Sequence, residues 1–81
     1  MNFLVISTRS KLAITQPLWV FAKDYFDFEH AIVDDDKDIR DYVSKKDLTS
    51  YDRIIIDGNL RRIGKKTGYK FLKKISNLVF F

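Results

Sequence analysis

The sequence has no cysteine, one proline, one histidine and three glycines. Without cysteine there is no disulfide, no thiolate zinc site and no cysteine nucleophile. That lack is compatible with the cytoplasm, the expected location. With so little Gly and Pro, no stretch has the composition of a flexible linker or low-complexity tail. There is no internal repeat, and residues 1–8 lack the basic, apolar, small-residue order of a signal peptide. The longest apolar runs are a few residues, far short of the ~20 that cross a bilayer, so no membrane partner is expected. A lone His30 with no second His or Cys makes zinc implausible; it reads as a strand residue facing solvent or a neighbour. There is no P-loop, no G-x-G-x-x-G, no nucleophile elbow and no H-E-x-x-H. Ser7 and Thr8 lack any paired histidine. The expectation is a protein without catalytic activity of its own.

What is present fits one domain, residues 1–81. The chain is 46% apolar, with seven Phe, four Tyr and one Trp, enough for a small core. Charge is sorted along it. Residues 1–23 hold three bases and no acid, and residues 24–57 hold all eleven acids against five bases. Residues 58–81 hold seven bases and no acid. Such sorting fits a basic docking surface beside an acidic region, or pairing between segments.

Phe3–Ile6 is a continuous β-prone run, as in a strand buried on both faces. Thr15 or Thr8 can cap the next helix, and Pro17 suits a first helical turn. Leu18, Phe21, Ala22 and Tyr25 then follow helical spacing. Phe28–Val33 reads as a second strand, Asp38–Lys46 as a polar helix anchored by Ile39 and Tyr42–Val43, and Tyr51–Asp57 as the clearest strand. Gly58–Asn59 breaks it. A third helix is expected over Gly68–Ile75 and a fourth strand over Leu78–Phe81. The expected fold is α/β, in β-α-β-α-β-α-β order. It is a three-layer parallel sheet of about four strands with right-handed crossovers, receiver/flavodoxin-like or truncated Rossmann-like. Ligands of such sheets sit beyond the carboxyl ends of the strands, where Ser7–Thr8, Asp34–Asp36 and Asp57–Asn59 fall. A small sheet closing on an apolar strand has a poorly covered edge. That points to a fragment, an oligomer or a partner.

Tyr51–Ile75 carries Tyr51–Asp52, an apolar Ile54–Ile56, Asp57 at the strand end, Leu60 three residues on, then Gly68, Leu72 and Ile75. This segment resembles the third strand and third helix of a bacterial response-regulator receiver domain. The resemblance implies that Asp57 holds the place of the phospho-accepting aspartate. It also implies a degenerate, shortened receiver. The acidic pair that helps hold Mg²⁺ at the end of a receiver's first strand is replaced by Ile6, Ser7 and Thr8, and hydroxyls are poor substitutes. The usual proline is Arg61, and the fifth strand, switch Ser/Thr and Lys have no counterpart. Ile32–Arg40 echoes a receiver's first strand and acidic pair, but too close to Asp57 for that role.

Asp57 is the leading candidate for chemistry, as phospho-acceptor or cation ligand; the alternative is a turn-initiating aspartate. Asp34, Asp35 and Asp57 are weak candidates for Mg²⁺, the one cofactor considered. Asp34–Asp36 more simply start the second helix, where they complement its dipole. Arg61, Arg62, Lys65, Lys66, Lys70, Lys73 and Lys74 form a candidate basic binding surface, attractive to phosphates through charge. Trp19, Phe21, Tyr25, Phe26 and Phe28 are expected in the core, although the first helix is apolar around much of its circumference and can face a partner. The function expected is a regulatory receiver-like domain acting through protein–protein interaction, with another protein or by self-association through an edge strand, and not switched by phosphorylation. One alternative is the amino-terminal half of a Rossmann-like nucleotide- or sugar-binding enzyme, such as a glycosyltransferase. Another is a small basic nucleic-acid-binding protein using residues 61–74.

Overall fold

A computed structural model of the chain describes residues 2–59, 75 and 77–81. Its elements are β1 (Phe3–Thr8), α1 (Arg9–Ala22), β2 (Phe28–Val33), α2 (Lys37–Lys45), β3 (Arg53–Asp57) and β4 (Leu78–Phe80). They form one four-stranded sheet in the order β2-β1-β3-β4, and every pairing is parallel. This is the expected α/β architecture. The helix expected over 68–75 and the basic residues Arg61, Arg62, Lys65, Lys66, Lys70, Lys73 and Lys74 lie outside the described residues, Ile75 excepted.

Strand side chains alternate between faces, so β1 feeds two layers. Leu4 and Ile6 point to the side covered by α2. There they cluster with Ile54, Ile56, Ile39, Val43 and Tyr51. Ile39 and Val43 stand four apart and so share one face of α2. Phe3, Val5 and Ser7 point the other way, towards α1. The result is helix, sheet, helix. The central strands β1 and β3 are buried on both faces, which is why they read as unbroken apolar runs.

α1 departs from the expected helix. It starts at Arg9, directly after β1, with Thr8 as its N-cap; the Thr8 hydroxyl accepts the Lys11 N–H at 3.2 Å. Pro17 therefore lies inside the helix and not in its first turn. The phase differs too. The buried residues of α1 are Thr15 and Trp19, whereas Leu18, Phe21, Tyr25 and Phe26 are exposed. The apolar spacing of Leu18, Phe21 and Tyr25 is real, but it faces outward. Thr15 and Trp19 won the inward face because a polar group lies beneath α1.

Pro17 cannot donate to the carbonyl of Ala13, and an interior proline costs a helix about 3 kcal/mol. Pro17 is exposed, so replacing it by alanine restores that bond without disturbing packing. Pro17→Ala is expected to raise the urea midpoint, by the equivalent of about 1–3 kcal/mol once the looser unfolded chain is allowed for.

Candidate functional site

The carboxyl ends of β1 and β3 meet beneath α1. Parallel register sets Ser7 opposite Asp57 and Val5 opposite His30. Ser7 thus faces Asp57 directly and His30 diagonally, all three on the α1 side. α1 contributes Thr15 and Trp19, four apart on its inner face.

These side chains converge on one oxygen. Asp57 Oδ2 accepts from the Ser7 hydroxyl at 2.7 Å, from the Thr15 hydroxyl at 2.7 Å and from Trp19 Nε1–H at 2.8 Å. Asp57 is 0% exposed. A carboxylate taken out of water is costly unless hydrogen-bonded, and bonds to a charged acceptor are among the stronger ones. Asp57 Oδ1 is buried and has no hydrogen-bond partner among the described residues. The Thr15 hydroxyl also lies 3.1 Å from the Lys11 carbonyl. It has one proton and therefore bonds the nearer Asp57 or the helix carbonyl, not both fully.

His30 Nε2 lies 2.7 Å from Ser7 Oγ. Because the single Ser7 proton points to Asp57, His30 is the donor, which assigns its proton to Nε2. This corrects the expectation that Ser7 lacks a paired histidine: the pair exists because β2 lies parallel to β1 in a register that carries His30 to within two residues of Ser7. Around the polar centre is an aromatic shell. Trp19 meets Phe28 and His30 edge-on at 5.8 and 5.9 Å between centroids, and Phe81 at 5.4 Å. Trp19 is the sort of side chain that needs both an apolar seat and a partner for its N–H, and Asp57 supplies the second.

The arrangement has serine, histidine and aspartate within hydrogen-bond reach, but in the wrong order for acyl-transfer chemistry. In a catalytic triad the aspartate orients the histidine and the histidine takes the serine proton. Here the serine proton goes to the aspartate and the histidine donates to the serine. Ser7 is also fully buried. The unit is a structural clamp between β1, β2, β3 and α1.

The acidic run at the end of β2 is used for structure as well. Asp35 Oδ1 accepts the Asp36 N–H at 2.6 Å, and Asp38 Oδ2 accepts the Asp35 N–H at 3.0 Å. Asp36, almost fully buried, takes the Asn59 N–H on Oδ1 at 2.7 Å and so joins the start of α2 to the turn after β3. Asp34 pairs with Arg9 at 2.5 Å, with both side chains well exposed, a geometry that contributes little to stability. Asp34 and Asp35 are thus spent on Arg9 and the α2 entry, while the Asp57 carboxylate lies under α1. Among the described residues no group of three or more His, Asp or Glu side chains is placed to hold a metal ion, and no helix is long and apolar enough to cross a membrane.

Burial holds the His30 imidazole below the ordinary histidine range; the nearby Asp57 charge works against that shift and Lys23 adds to it. No protein-family model, curated protein or solved structure matches this chain.

Two measurements probe the clamp. Asp57→Ala leaves Trp19 Nε1–H without its acceptor under α1, so a loss of about 2 kcal/mol is expected in urea unfolding; an exposed aspartate would shift it by no more than about 0.5 kcal/mol. The lowered His30 pKa means that the unfolded chain takes up a proton more readily than the folded one. Its contribution is fully present above the unfolded value near 6.5 and is lost as pH falls from there through the lowered folded value. The urea midpoint is expected to drop between pH 7.5 and pH 5.5, and to drop less in His30→Gln.

Proposed function

We propose that this chain is a receiver-like, flavodoxin-like domain that acts through protein–protein contact, has no catalytic step and is not switched by phosphorylation at Asp57. The observation that carries this reading is the complete burial of Asp57, with Oδ2 committed to Ser7, Thr15 and Trp19. A phosphoryl donor needs access to a carboxylate oxygen, and an acceptor site needs a cation beside it. Asp57 has neither an open approach nor neighbouring acids from the end of β1, where Ser7 and Thr8 stand.

The strand order supports the flavodoxin-like side of the comparison. The order β2-β1-β3-β4 agrees with the first four strands of the flavodoxin-like arrangement, 2-1-3-4-5. The Rossmann arrangement, 3-2-1-4-5-6, would set the third strand beside the second. That weighs against the reading as half of a nucleotide- or sugar-binding enzyme. The nucleic-acid reading depends on the basic residues of 61–74 and predicts retention on DNA that vanishes with moderate salt.

The test is incubation with acetyl phosphate, or with beryllofluoride and Mg²⁺, followed by intact-mass and tryptophan-fluorescence measurement. The expected result is no phosphoryl adduct and no fluorescence change from Trp19. Stoichiometric modification that Asp57→Asn abolishes would overturn the proposal.

A further inference from the structure

The outward face of α1 is the largest feature that the fold and the clamp leave unexplained. Ile14, Leu18, Phe21 and Tyr25 follow one another at steps of four, three and four, the last just beyond the helix end. They are 78%, 41%, 60% and 67% exposed. That spacing puts them on one stripe, as in the seam of paired helices. The Phe21 and Tyr25 rings already lie together, 5.0 Å between centroids. Along α1 no charged residue falls between Ile14 and Ala22, so that part of the helix strands no charge of its own when it is covered.

The stripe continues into an apolar trough of about 440 Å³ between α1 and the β3–β4 side of the sheet. Leu18 and Phe26 form one wall and Ile55, Val79 and Phe81 the other. Phe26, Val79 and Phe81 are themselves exposed. With an aromatic side chain presenting roughly 150–250 Å² when free, stripe and trough together offer on the order of 700 Å² of apolar surface. The largest patch on a typical monomer is about 300–600 Å². A standard interface takes ~800 Å² from each partner. The area therefore approaches what each half of a standard dimer buries.

We infer that the occupant is a second copy of this chain, with the two α1 helices packed across a two-fold axis through Leu18 and Phe21. A two-fold contact demands that one patch complement itself. The stripe is aliphatic at Ile14 and Leu18 and aromatic at Phe21 and Tyr25, so in an antiparallel two-fold pair the aliphatic half of one copy meets the aromatic half of the other. The inference rests on the protein-contact reading only in taking the chain to work by association. Phosphorylation of Asp57 would overturn that reading and leave the dimer standing.

Sedimentation equilibrium over a concentration series is the primary test. The expected mass is twice the 9.6 kDa of the chain, and Phe21→Glu is expected to weaken the dimer on the order of thirtyfold or more with an unchanged far-ultraviolet spectrum. Because the chain has no cysteine, Leu18→Cys supplies a second readout that does not need a disruptive charge. On mild oxidation it is expected to form the homodisulfide rapidly, while Ser44→Cys on the exposed side of α2 does not. A wild-type chain that stays monomeric at about 1 mM, the limit of weak association, would overturn the inference and leave a foreign partner as occupant. A dimer unaffected by Phe21→Glu, or equal oxidation at positions 18 and 44, would do the same.

Discussion

Everything on the α1 side of the sheet is organised by one buried oxygen. Asp57 Oδ2 draws three donors from two elements, Ser7 on β1 and Thr15 and Trp19 on α1. A buried carboxylate is a liability until such donors surround it. Once they do, each is held to a specific place, because a donor that moves leaves charge uncompensated. The apolar face beneath α2 can tolerate exchanges of similar volume. The polar face beneath α1 has no comparable latitude.

That constraint explains the phase of α1. On apolar spacing alone, Leu18, Phe21 and Tyr25 are the better inward residues, and the hydrophobic pattern cannot distinguish a core stripe from an exposed one. Thr15 and Trp19 lie inward because they carry the hydrogen-bond donors that Asp57 requires. The outward turn of the remaining apolar residues is then a consequence of satisfying a charge. A stripe that looks like misplaced core is what remains once the polar requirement has been met.

The parallel sheet was legible from residues. Phe3–Ile6 and Ile54–Ile56 are unbroken apolar runs because both faces of those strands are covered, and Phe28–Val33, Ile39 and Val43 follow the expected periods. Asp57 was legible as a position but not as an environment: its place after Ile56 is local, whereas its burial depends on Trp19, far off in sequence. Ser7 and His30 meet only through the β1–β2 register, which neither residue encodes nearby. Trp19 was expected in the core and lies there; Phe21, Tyr25 and Phe26 were expected beside it and do not. Of the two expected caps, Thr8 is the one used because α1 opens at Arg9, directly after β1, which leaves Thr15 inside the helix.

β1 passes into α1 without a single intervening residue: Thr8 ends the strand and Arg9 opens the helix. The azimuth of α1 is therefore geared to the pleat of β1. One residue added at this junction would turn the helix by about 100°, swinging Trp19 off its acceptor and bringing a different set of side chains over the sheet. Sequences compatible with this fold should keep the strand-to-helix count fixed to the residue.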